Sequence, residues 1–159
     1  MEIGTARLAV IIWAAYFGLS AAGLSLKILP LSLVANAVYF VLAIVLFRYL
    51  GSADPRIALA VLPLAALGCV IQSVGMIQND RDIQRFALVF FGLFLAVLGY
   101  LLLRAGVAPP LIGYALIAAG LASCTLIIPQ LPAPLAAVAI GLGGLAEGAF
   151  ALWMLLAAP

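Results

Sequence analysis

GLGGLAEGAFALWMLL, Gly141 to Leu156, is apolar except for Glu147. A stretch of this kind belongs either to a core helix or to a membrane span. The rest of the chain decides between them. Between Arg104 and the chain end Glu147 is the sole charged side chain. Hydrophobic residues make up 69% of the 159 residues and charged residues 8%. Mean hydropathy is +1.38. Such a chain has too little polar surface to cover its apolar surface in water, so its solvent is the lipid bilayer. A spanning helix needs roughly 20 mainly apolar residues. The length therefore accommodates six spans joined by very short loops. The fold class read from the sequence is all-α, a polytopic transmembrane bundle of six helices forming a single domain.

Prolines and charges mark the ends of the spans. The expected segments are Thr5–Leu26, Leu31–Leu50, Pro55–Ile77, Ile83–Arg104, Pro110–Ile128 and Pro134–Ala157. Lys27 and Pro30 close the first. Asp54 is placed to cap the third, with Pro55 at its first helical position. Pro63 is a candidate kink, tolerated in a membrane helix. Asp80 or Asp82 caps the fourth, and Pro129, Pro132 and Pro134 make a tight turn before the last. The opening Arg7, LAVIIWAAYFGL and Ser20-Ala21-Ala22 have the layout of a secretion signal, but the segment is read as the first span.

With the N-terminus inside, Arg7, Arg48, Arg56 and Arg104 fall on the cytoplasmic side and Lys27, Arg81 and Arg85 on the other. The bias of lysine and arginine toward the inside favours both termini in the cytoplasm of a multi-pass inner-membrane protein. Nucleic acid is not an expected partner, because there is no basic run interleaved with aromatics. Histidine is absent. Cys69 and Cys124 lie in apolar runs without a CxxC neighbour, so no metal site and no cofactor is expected. No nucleophile–base pair is visible, and no loop is long enough to carry one, so no catalytic residue is assigned.

Glycines recur seven residues apart as Gly68 and Gly75, Gly92 and Gly99, Gly113 and Gly120, and Gly141 and Gly148. That repeat keeps small residues on one helix face and lets backbones approach. It serves either packing within one bundle or, through Gly144 and Gly148, association with a second copy or a larger membrane complex.

Polar residues at membrane depth are the functional candidates, since lipid offers them no partner. At a rise of ~1.5 Å per residue, Asn36 lies ~9 Å and Gln72 ~10 Å from the outer ends of their spans. Ser20, Ser73, Ser123 and Thr125 fall near the same level. This band either bonds helix to helix or lines a small cavity open to the outer face. Glu147 lies deeper, ~21 Å from the outer end of its span. An ionisable group there marks a functional site unless it is paired, protonated or wet. Trp13 and Tyr114 are level with it and are its expected hydrogen-bond partners. Arg48 is the better placed of the nearest cations to reach back as an ion-pair partner.

FFGLFLAVLGYLLLRAGVAPPLIGYALIAAG, Phe90 to Gly120, and GGLAEGAFALWMLL, Gly143 to Leu156, together resemble the bacterial membrane family described as domain of unknown function 4386. Glu147 and Trp153 match that family's usual Glu and Trp in its closing helix. ARLAVIIWAAYFGL, Ala6 to Leu19, is compatible with its start. The resemblance implies a six-helix fold and brings no activity with it. This chain lacks the family's long loop after the first span, and Phe86 and Phe94 stand where members carry histidine.

Two functions follow from these readings. In the first, the protein is non-catalytic and binds a small apolar or amphipathic molecule, or serves as an accessory subunit. In the second, it is a proton-coupled transporter of a small solute, with Glu147 as the coupling site and Asn36 and Gln72 as contacts.

Overall fold

A computed structural model of the chain describes residues 3–128 and 130–157. Pro129, one of the three prolines expected in the last turn, lies outside the described residues. The chain is 88% helical and the described residues contain no strand. The helices are α1 (Ile3–Leu26), α2 (Leu29–Leu50), α3 (Pro55–Ala58), α4 (Val61–Gln78), α5 (Arg81–Ala105), α6 (Pro110–Cys124) and α7 (Ala133–Ala157), with a 3-10 turn, Thr125–Ile127, after α6. Five segments are long and apolar enough to cross a bilayer: Leu29–Leu50, Pro55–Gln78, Arg81–Ala105, Pro110–Ile127 and Ala133–Ala157. The apolar run of α1, Arg7–Gly23, is shorter. Together they make an all-α transmembrane bundle.

The punctuation acts as its chemistry requires. Asp54 caps α3, its Oδ1 accepting the Ile57 N–H at 3.2 Å. Asp80 caps α5, Oδ1 accepting from Asp82 N at 2.8 Å and Ile83 N at 3.2 Å. The third span bends ahead of Pro63, with Leu59 and Ala60 still in right-handed helical conformation, and runs as one apolar segment, Pro55–Gln78. A turn at Leu59 and Ala60 separates α3 from α4. The proline ring clashes with the carbonyl four residues earlier, and four residues before Pro63 is Leu59. Pro63 itself sits in the first turn of α4, where its missing N–H has no helical acceptor to lose.

Short loops make sequential helices antiparallel neighbours. The contacts run α1–α2, α2–α4, α4–α5, α5–α6 and α6–α7, and α7 returns to α1, so the helices form a closed ring. The α1–α7 seam is the least extensive of these contacts. The α5–α6 pair is the most intimate, and glycine is the reason. A Cβ on Gly92 would lie 2.6 Å from the Gly120 carbonyl oxygen, and one on Gly99 would lie 2.5 Å from that of Gly113. The two seven-residue repeats thus mate in antiparallel register within one chain. A Cβ on Gly141, Gly144 or Gly148 would meet nothing within 4 Å.

The core is apolar and aromatic. Trp13 meets Phe150 edge-on, with ring centroids 5.2 Å apart, and Tyr39 packs on Phe91, Phe94 and Tyr16. The outer surface is also apolar. Leu111, Leu145 and Leu156 are each more than 70% exposed. In water this surface would drive aggregation, and in a bilayer it is the lipid-facing wall. The chain is a multi-pass α-helical membrane protein.

Candidate functional site

Glu147 lies on the inward face of α7 and is 8% exposed. A carboxyl buried in apolar surroundings needs hydrogen bonds or a counter-charge. Its donor is Tyr39 from α2, whose hydroxyl donates to Oε1 at 2.9 Å. Trp13, on α1, has its indole Nε1 toward the same carboxyl, but the contact does not close into a hydrogen bond. That N–H, on a side chain only 1% exposed, is left without a partner. Three helices, α1, α2 and α7, therefore converge on one acid.

Two of the expected neighbours are elsewhere. Tyr114 is 62% exposed on the outside of α6 and does not meet Glu147. Its depth along the helix was right for a partner, but its azimuth turns it to the lipid wall. Arg48 is exposed in the last turn of α2, where it lines a cleft with Arg104 and Tyr49. It makes no hydrogen bond or ion pair among the described residues and leaves Glu147 without a guanidinium.

Beside Glu147 is a cavity of about 190 Å³, walled by Tyr16, Tyr39, Phe91, Leu95 and Leu126 and edged by Gly143 and Gly144. The glycines supply no side chain, and so the space beside the carboxyl stays open. A second cavity, of about 160 Å³, is lined by Ser20, Ser32, Asn36 and Gln72. Tyr16, Leu88 and Phe91 line both cavities. The two therefore adjoin, with Tyr16 and Phe91 as their common wall. Of the outer polar band, Ser20, Asn36 and Gln72 line the second cavity and Ser123 the first, while Ser73 and Thr125 line neither.

Within that band the amides differ. Asn36 is 7% exposed and belongs to a closed set of bonds between α2 and α4. Its amide nitrogen donates to Ser73 Oγ at 3.0 Å, the Ser73 hydroxyl donates to the Cys69 carbonyl at 2.8 Å, and the Cys69 thiol donates to the Asn36 carbonyl at 3.3 Å. Asn36 thus both edges a cavity and pins two helices. Gln72 has a buried side-chain oxygen with no hydrogen-bond partner. Ser123 turns back onto the Ala119 carbonyl of its own helix, and Thr125, in the 3-10 turn that follows, onto that of Ala122.

Sequence reasoning did not single out Tyr39 or Phe91 as neighbours of Glu147, whereas Tyr16, slightly further out in depth, does line its cavity. By helical rise Tyr39 lies roughly 7.5 Å from the level of Glu147, within the combined reach of a tyrosine and a glutamate side chain. That comparison, made for every hydroxyl rather than the nearest in depth, was the available signal. Among the described residues no three acidic or cysteine side chains converge as metal ligands would. No family model matches the chain, and no curated protein or solved structure proves similar to it.

Proposed function

We propose that the protein binds a small amphipathic molecule in the adjoining cavities beside Glu147 and Gln72, and that it is not an enzyme. The observation that carries this reading is the pairing of the two cavities through Tyr16 and Phe91 with an unpartnered Gln72 oxygen in one of them. An orphaned buried acceptor is costly, and a ligand hydroxyl or amine would supply its missing donor. The aromatic and leucine wall beside Glu147 suits the apolar part of the same molecule. Each cavity is smaller than the ~300–1,000 Å³ usual for drug-sized ligands, which restricts the ligand to a small one.

The buried position of Trp13 beside Glu147 gives the test. In a Trp153→Phe background, a short brominated alcohol should quench Trp13 fluorescence saturably. Gln72→Leu should weaken that binding about tenfold, the equivalent of one lost hydrogen bond. Linear, unsaturable quenching in the parent protein would sink the reading.

The second reading is proton-coupled transport of a small solute. One observation favours it: Glu147 lines the deeper of the two adjoining cavities, with tyrosine and indole neighbours and no cation among that cavity's described lining. In proteoliposomes Glu147→Gln would then abolish uptake driven by a pH gradient while leaving ligand binding in place. We also place the protein in the cytoplasmic membrane with both termini inside, on the arginine count at the span ends. The link to the family of unknown function stands as a proposal on the two segments quoted above.

A further inference from the structure

A different site lies at the opposite end of the bundle. Helices α1, α2 and α5 leave a cleft of about 750 Å³ between them. Arg48 and Arg104 both line it, each from the last turn of its helix, α2 and α5. The partial negative charge at a helix C-terminus favours a cation there, but it does not neutralise two full charges across one cleft. Neither guanidinium makes an ion pair or hydrogen bond among the described residues. The acid in the α2–α3 loop is already committed, because Asp54 accepts from the Ile57 N–H through one oxygen and from the Tyr100 hydroxyl through the other. Tyr49 and Ser52 add hydroxyl groups to the cleft, and Leu8 and Val45 make an apolar wall that continues into the span.

We propose that this cleft holds the phosphate-bearing headgroup of an anionic lipid. Guanidinium groups match phosphate oxygens in a two-pronged hydrogen-bonded fork. Basic pockets between transmembrane helices at a membrane face recognise acidic headgroups. The apolar wall distinguishes a lipid from a free phosphate ester, since Leu8 and Val45 give an acyl chain a path from the headgroup into the bilayer. The site uses none of the residues around Glu147 or Gln72, and it stands or falls separately from the ligand cavity.

The test is native mass spectrometry of the full-length protein with dioleoyl phosphatidylglycerol and dioleoyl phosphatidylcholine in competition. The wild type should prefer phosphatidylglycerol. R48Q/R104Q should reduce that preference about thirtyfold, and each single glutamine variant about fivefold, the loss expected per basic residue near an anionic headgroup. The single variants answer the question if the double variant does not survive extraction. R48K/R104K keeps both charges and should retain most of the preference. Arg56→Gln, outside the cleft, should leave it unchanged. Equal retention of the two lipids by the wild type would overturn the proposal, as would an undiminished preference in the single and double glutamine variants. Soluble glycerol phosphate binding as tightly as phosphatidylglycerol would overturn it too, by showing that the acyl path plays no part.

Discussion

Tyr39 and Glu147 are 108 positions apart in sequence and meet in the centre of the bundle. Tyr39→Phe removes the hydroxyl and leaves the carboxyl without that donor. Hydrogen bonds between membrane helices are worth about 0.6–1.7 kcal/mol, and the variant should lose that much stability in detergent unfolding. Glu147→Gln should cost less than about 1 kcal/mol, because the amide oxygen still accepts from Tyr39 and a neutral amide is less expensive to bury than a charge. A loss of several kcal/mol in Glu147→Gln would mean that the carboxylate is ion-paired, against the geometry. Asn36 differs from Glu147 in that its bonds to the Ser73 and Cys69 set make it a pin between α2 and α4. Asn36→Leu should therefore lower the melting temperature as well as disturb the cavity it edges. A ligand defect with an unchanged melting temperature would show that the bonds to Ser73 and Cys69 contribute nothing to stability.

At the level of elements, the glycines of α5 and α6 and those of α7 have opposite expectations. A Cβ on Gly120 meets the carbonyl of Gly92, a backbone group that cannot swing aside. Gly120→Ala should destabilise the protein by about 1–3 kcal/mol through overpacking. Gly141→Ala adds a methyl group to open space and removes the entropic disadvantage of glycine in a helix, so it should gain roughly 0.5 kcal/mol. Equal effects of the two, read from thermal unfolding in one detergent, would contradict the α5–α6 packing. The end of α1 offers a separate case. Lys27 has φ of 54°, in the left-handed region that favours glycine. Lys27→Gly should stabilise the protein by roughly 0.5–1 kcal/mol by relieving that conformation. Asn79, at φ of 52°, ends α4 the same way with a residue type that tolerates it.

For the whole molecule, six crossings would place the two termini on the same side of the membrane. Single cysteines introduced into a variant lacking Cys69 and Cys124, near Thr5 and near Ala157, should be labelled from the same face by an impermeant thiol reagent. A cysteine at Arg81 should be labelled from the opposite face. Labelling of Thr5 and Ala157 positions from different faces would remove one crossing. The short apolar run of α1 makes it the helix to question first. The ring closes at the α1–α7 seam, its least extensive contact, and the Glu147 cavity lies beside it, bounded by Tyr16 and Phe17 from α1 and Gly143 and Gly144 from α7. A disulfide across that seam is expected to slow ligand entry more than a disulfide between α5 and α6.

Composition alone determined the solvent, and punctuation determined the elements. Asp54-Pro55, Asp80 and Pro110 each start a helix because a carboxylate cap or a fixed φ acts locally, without reference to the rest of the chain. The seven-residue glycine spacing also marked which helix faces allow close approach, but not which helix would be there. Which side of each helix turns inward was decided only by the tertiary structure. In a soluble bundle the apolar stripe gives the azimuth away. Here lipid and core are equally apolar, and every span except α5 carries almost no amphipathic asymmetry. Depth was therefore legible and rotation was not. Tyr114 and Tyr39 were both near enough in depth to serve Glu147. The packing of α2 across from α7 turned one inward to the acid, and the rotation of α6 about its own axis turned the other to the lipid.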